Sequence, residues 1–236
     1  MNQSTPLTPT LKTMMTPIGQ LFSESWEFFK TNLNKLILIT LILMSPSILN
    51  QILSLIFGNK SNPVIGTIMG LLVLLSIVTG IWGTIALITF ITEKNPALTI
   101  SEAYNKNVSL FWSYLWLSIV IGLIVLAGLI LVIIPGIIWG IYFSLFSYIL
   151  ICEKIKGWAA AKKSKQLVKK YWWPVFGRVV LLSLIFIVLS LILSPISYFS
   201  ELLYSLIIII ISLLYSPFAT VYSYNIYQNL KQIKGI

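Results

Sequence analysis

Residues Val64–Ile91 read VIGTIMGLLVLLSIVTGIWGTIALITFI, an apolar run with no charged side chain. About 20 such residues in a helix cross the hydrocarbon core of a bilayer. Five more apolar runs occur, at Leu36–Phe57, Trp112–Ile134, Gly136–Cys152, Val175–Leu193 and Leu202–Tyr227, of which only Val175–Leu193 carries a charge, that of Arg178. Backbone polar groups in lipid must be satisfied within the chain, and a helix does this inside one segment. The expected fold is therefore all-α, an integral membrane bundle of about six transmembrane helices. The fourth run is short, while the second and sixth are long enough to tilt or to project beyond the membrane.

Composition points the same way. Of the 236 residues, 58% are hydrophobic and only 9% are charged, against about 25% charged in soluble domains. A chain this poor in charge could not cover a water-facing surface. Its 16 basic residues outnumber 6 acidic ones, for a net charge of +10. That excess favours an anionic partner. Lipid is expected rather than nucleic acid, because no basic stretch lies in a segment large enough to fold by itself. The chain has no His and its acids are all Glu, which excludes His–Asp triads and metal sites built on His or Asp. Cys152 is the only cysteine, so intramolecular disulfides and Cys-cluster zinc sites are impossible. No cofactor is expected.

The segments between the runs alternate in charge. Phe57–Val64, the Ile134-Pro135-Gly136 turn and Ser194–Glu201 share one basic residue, Lys60. The N-terminal segment, Thr92–Phe111, Glu153–Pro174 and the tail after Tyr227, together with Arg178 just inside the fifth run, hold the other fifteen. Basic loops stay on the cytoplasmic side, so both termini are expected in the cytoplasm and the protein in a cell inner membrane. The first apolar run is too long for a signal h-region and is expected to be retained. Residues 1–17 read as a flexible polar segment, and 18–236 as one six-helix domain.

Each long basic segment carries a stretch that reads as an amphipathic helix ahead of a two-span hairpin. These are Ser23–Leu36, Ser101–Tyr114 and Ser164–Gly177, which together suggest a faint internal repeat. The sharpest lies in Trp158–Tyr171, WAAAKKSKQLVKKY. At helical spacing Ala160, Ala161, Ser164, Leu167, Val168 and Tyr171 share one face, and Lys162, Lys165 and Lys169 the other, with Lys163 and Lys170 toward the flank. Such a helix is expected to lie in the interface with its apolar face toward lipid. It is either a docking site for anionic lipid or a protein partner, or an anchor that sets orientation. Arg178 is the only Arg. Its planar fork suits a lipid phosphate or a substrate anion, or a pair with Glu153, or simple snorkelling. Arg178, Glu153, Lys162, Lys165 and Lys169 thus form a candidate anionic headgroup site, with Glu153 orienting the guanidinium.

Other features read as packing chemistry. Gly66 with Gly70, Gly136 with Gly140, and Gly80 with Gly83 allow close helix contact. Pro46 and Pro217 interrupt the first and sixth runs, leaving the Ile42 and Leu213 carbonyls without their helical donors. Ser45, Ser47 and Ser216 are placed to help.

The stretch Leu131–Leu181 begins with an Ile-Pro-Gly turn and a span with aromatics and serines. Glu153, an Ala-rich basic helix, Trp172-Trp173 and a Phe-Gly-Arg sequence follow. It resembles the polytopic membrane domain fused to some bacterial glycerophosphodiester phosphodiesterases, and related stand-alone membrane proteins of unknown function. The matching positions are Pro135, Gly136, Glu153, Ala161, Ser164, Leu167 and Arg178. The resemblance implies architecture only, because the phosphodiesterase chemistry of the fused proteins belongs to a separate soluble domain. The expected function is that of a non-enzymatic membrane protein acting on anionic lipid or as an assembly partner at the cytoplasmic face. The alternative is a permease-type subunit of an exporter working with a separate ATPase. A membrane-embedded enzyme lacks any visible convergent pair.

Overall fold

A computed structural model of the chain describes residues 14–58, 63–95 and 97–235. Lys12 and Lys60, together with most of the segment read as flexible, lie outside the described residues. All regular structure among those described is helical. Six helical segments are long and apolar enough to cross a membrane, and the chain is a multi-pass membrane protein.

Helix α1 (Ile18–Thr31) and α2 (Leu33–Phe57) meet at Asn32. Helix α3 covers Pro63–Glu93 and α4 covers Ile100–Lys106. The latter opens with a capping box in which Thr99 and Glu102 satisfy each other's backbone N–H groups. A short 3₁₀ turn at Val108–Leu110 leads into α5 (Phe111–Leu131). Helices α6 (Ile133–Phe143) and α7 (Phe146–Cys152) form the fourth span in two pieces. Helix α8 is Trp158–Val168, α9 is Trp172–Leu193, α10 is Ile196–Phe199 and α11 is Glu201–Lys234.

The helices are well packed at one end only. Buried side chains concentrate at Leu36 and Ile39 of α2, Ile85–Ile91 of α3, Leu145–Ile151 around α7, and Phe218–Leu230 of α11. These are the ends that meet α1, α4 and α8. The opposite ends of α3, α5, α9 and α11 present leucine, isoleucine and valine outward, as lipid-facing helices do. Length explains the division. The 34 residues of α11 extend about 51 Å, well beyond a hydrocarbon core of about 30 Å. The excess turns bury themselves against the protein.

Two expectations about turns change. Backbone reversal between the third and fourth spans falls at Val132, which is extended, and not at Ile134-Pro135-Gly136. Pro135 sits in the first turn of α6, where its missing N–H has no helical partner to lose. The Ser101–Tyr114 stretch is not one helix, since α4 stops at Lys106.

The glycines divide as well. A Cβ on Gly128 would lie 2.9 Å from the Cα of Gly136, so these two glycines set the approach of α5 to α6. Gly83 packs on Leu43, whereas Gly66, Gly70 and Gly80 face open space. At the proline in α2, the Ser45 hydroxyl donates to the freed Ile42 carbonyl at 2.8 Å.

Candidate functional site

The packed end contains two polar networks, an exposed lysine ridge and an apolar groove. The first network centres on Glu153, just after α7. Its side chain is 12% exposed and accepts from the ammonium of Lys163, with Lys231 at 3.3 Å. The Tyr227 hydroxyl donates to the same carboxylate at 2.6 Å. Burial raises the Glu153 pKa, but hydrogen bonds from Lys163, Tyr227 and Lys231 outweigh it and hold the carboxyl below its ordinary range. The group is a fixed anion joining the loop after α7 to α8 and α11. Tyr227 stacks on Tyr148 at 5.9 Å, extending the contact into the core.

The second network centres on Arg178. One of its amino groups donates to the Pro174 carbonyl at 2.9 Å, and the other to the Thr16 carbonyl at 2.6 Å. Thr16 is held again by Asn229 of α11, whose amide donates to the threonine hydroxyl at 2.6 Å and accepts from its backbone N–H at 3.1 Å. Asn225 donates to Ser25 at 2.9 Å. These bonds fasten the start of α1 to α9 and α11.

The expected grouping of Arg178 with Glu153 is therefore corrected. Arg178 is 7% exposed and spends its fork on backbone carbonyls, and no ion pair joins it to Glu153 among the described residues. A carbonyl at the start of α1 lies within reach and needs a donor. Once the guanidinium serves it, the surface loses the group.

Helix α8 departs from expectation in what covers it. Ala160, Ala161, Ser164, Leu167 and Val168 are buried as the spacing requires, but they pack on α6 and α7 and not on lipid. The reason lies in the break between those helices. Ser164 donates to the Tyr142 carbonyl at 2.8 Å and accepts from the Leu145 N–H at 3.3 Å. Its hydroxyl thus serves backbone groups that the interrupted helix leaves unpaired. Ala160 and Ala161, having short side chains, permit the close approach.

On the outer side of α8, Lys162, Lys165 and Lys169 are exposed. None is in an ion pair among the described residues. Lys165 lies 5.7 Å from the Tyr142 ring centroid. The ridge is held in place by the buried face behind it.

The groove lies between α9 and α11, with α1 closing one end. Its volume is about 490 Å³, and it is bounded by Phe22, Trp26 and Phe29 of α1, Leu182–Leu189 of α9 and Ile211–Phe218 of α11. Trp26 remains 45% exposed and Phe22 39%. Lys30 lines it as well. Sequence reading missed the groove, because its walls come from three separate apolar stretches that carry no distinguishing pattern. It also missed Thr16 and Asn229, polar residues of ordinary type. Among the described residues no cluster of acids and cysteine could hold a metal ion.

No family model matches this chain, and neither a curated protein nor a solved structure matches it.

Proposed function

We propose that this chain is a non-enzymatic multi-pass protein of the cell inner membrane that gathers anionic lipid at its cytoplasmic face. The observation that carries the reading is the ridge of Lys162, Lys165 and Lys169, exposed and without carboxylate partners among the described residues. Its helix cannot roll to hide the charge, because Ser164 and the two alanines fix the opposite face. A lysine near an anionic leaflet contributes about 1 kcal/mol, so three give a local enrichment that salt weakens. The basic asymmetry of the loops supports a cytoplasmic location for this face. The resemblance to the phosphodiesterase-fused membrane domain adds architecture and no chemistry.

The test uses the full chain in nanodiscs of mixed phosphatidylglycerol and phosphatidylcholine, with spin-labelled lipid of each headgroup. The expected result is enrichment of the anionic label near the protein, declining as salt rises. Replacing Lys162, Lys165 and Lys169 together by Gln reduces enrichment for every anionic headgroup alike. Equal enrichment before and after the replacement overturns the proposal.

A further inference from the structure

We infer that the groove between α9 and α11 is a binding site for one acyl chain of an anionic phospholipid, whose phosphate rests on Lys30. The inference rests on the cytoplasmic placement proposed above, but it concerns a different site from the α8 ridge.

Three observations select this occupant. The groove's walls are aliphatic and aromatic. Tyr215 on its wall has its hydroxyl directed to the Leu182 carbonyl at 3.3 Å, and the indole of Trp26 lies at the exposed end. Only an apolar ligand fits such walls, because a polar one would find no partner for its buried groups. Size agrees with the choice: the α9 wall, Leu182–Leu189, rises about 10 Å, and the groove's volume of about 490 Å³ accommodates a single extended chain. Charge fixes the third choice. Lys30 is the one charged residue on the groove, it is exposed, and no carboxylate pairs with it among the described residues.

Depth agrees with the headgroup assignment. Phe218, where α1 crosses α11, lies about 26 Å along α11 from Glu201. That is close to the far boundary of a hydrocarbon core about 30 Å thick. Lys30 sits in the last turn of α1, at the level where a lysine reaches headgroups while its stem stays in apolar surroundings. The phenyl and indole rings of Phe22, Trp26 and Phe218 stand edge to face at 5.0 and 6.0 Å. They give the chain a preformed wall at the mouth.

The experiment uses the full chain in nanodiscs containing a phosphatidylglycerol or a phosphatidylcholine with a photoactivatable diazirine in one acyl chain. Crosslinked peptides are read by mass spectrometry. The expected result is preferential labelling of 182–189 and 211–218 by the anionic probe. Lys30→Gln should lower the anionic-over-zwitterionic ratio there about fivefold, the factor for one lysine at an anionic surface. Ile185→Trp should abolish labelling of the groove while leaving labelling of the exposed α5 face at Leu123 and Leu126 unchanged, which also shows that the variant is folded. The Gln triple variant of α8 should leave groove labelling intact, so failure of the ridge and failure of the groove are read separately. Equal labelling by both probes, indifferent to Lys30→Gln, reveals an annular lipid only and overturns the site. Protein–protein crosslinks through the groove, indicating a second copy, overturn it equally.

Discussion

Removing one hydroxyl from α8 should destabilise the fourth span, although α8 lies outside it. In Ser164→Ala the Tyr142 carbonyl loses a donor at 2.8 Å and the Leu145 N–H loses an acceptor at 3.3 Å. Ser164 is fully buried, so water cannot replace its oxygen without opening the α8 contact. A buried polar group left without a partner costs about 1–3 kcal/mol. The longer of the two bonds is weak, and the carbonyl keeps a second lone pair, which places the expected loss at about 2 kcal/mol. For a chain of this size, that corresponds to a fall in Tm of about 4–8 °C. Tryptophan fluorescence during heating in a fixed detergent measures it. Ser190→Ala is the control, since its hydroxyl bonds only within its own helix, to the Phe186 carbonyl at 2.8 Å. It should shift Tm by no more than about 2 °C, as a surface change does. A Ser164→Ala shift no larger than that of Ser190→Ala refutes the proposed role of the hydroxyl.

Two further outcomes follow from charge. Glu153 has a depressed carboxyl pKa, so its stabilisation is present above the unfolded value of about 4.3 and disappears as pH falls through the lower folded value. The Tm difference between wild type and Glu153→Gln should stay constant from pH 7 to about 5 and shrink in acid, and a difference independent of pH contradicts the assignment. Reporter fusions at residues 1 and 236 should both report the cytoplasm, as the loop charges require, and a periplasmic signal from either end overturns the orientation.

The six spans were legible because hydrocarbon imposes one simple requirement, length with little charge, and the runs meet it singly, although Gly136–Cys152 is short and Val175–Leu193 carries Arg178. Leu36–Phe57 and α2 end at the same residue, as do Val175–Leu193 and α9. The buried face of α8 was legible too, since periodicity assigns Ala160, Ala161, Leu167 and Val168 to one side whatever covers them. The identity of the cover was not, because a protein surface and a lipid surface demand the same apolar stripe. Arg178 shows the other limit. Its residue type suits a phosphate and a pair of carbonyls equally. Only the distant Thr16 carbonyl, 162 positions earlier, decides between them. The groove escaped for a similar reason, as leucines that border a vacancy look like leucines that fill one.

The serine that serves the broken fourth span has a consequence for how the protein is made. Leu145 leaves the ribosome before Ser164 does, by 19 residues. During that interval the fourth span can enter the membrane only with its central backbone groups unserved, or by waiting in the translocon. The span is completed from outside itself, by a helix synthesised later that must dock from the water side. Insertion and maturation of this hairpin are consequently separate events, and the lysines of α8 bar it from following the span through the bilayer.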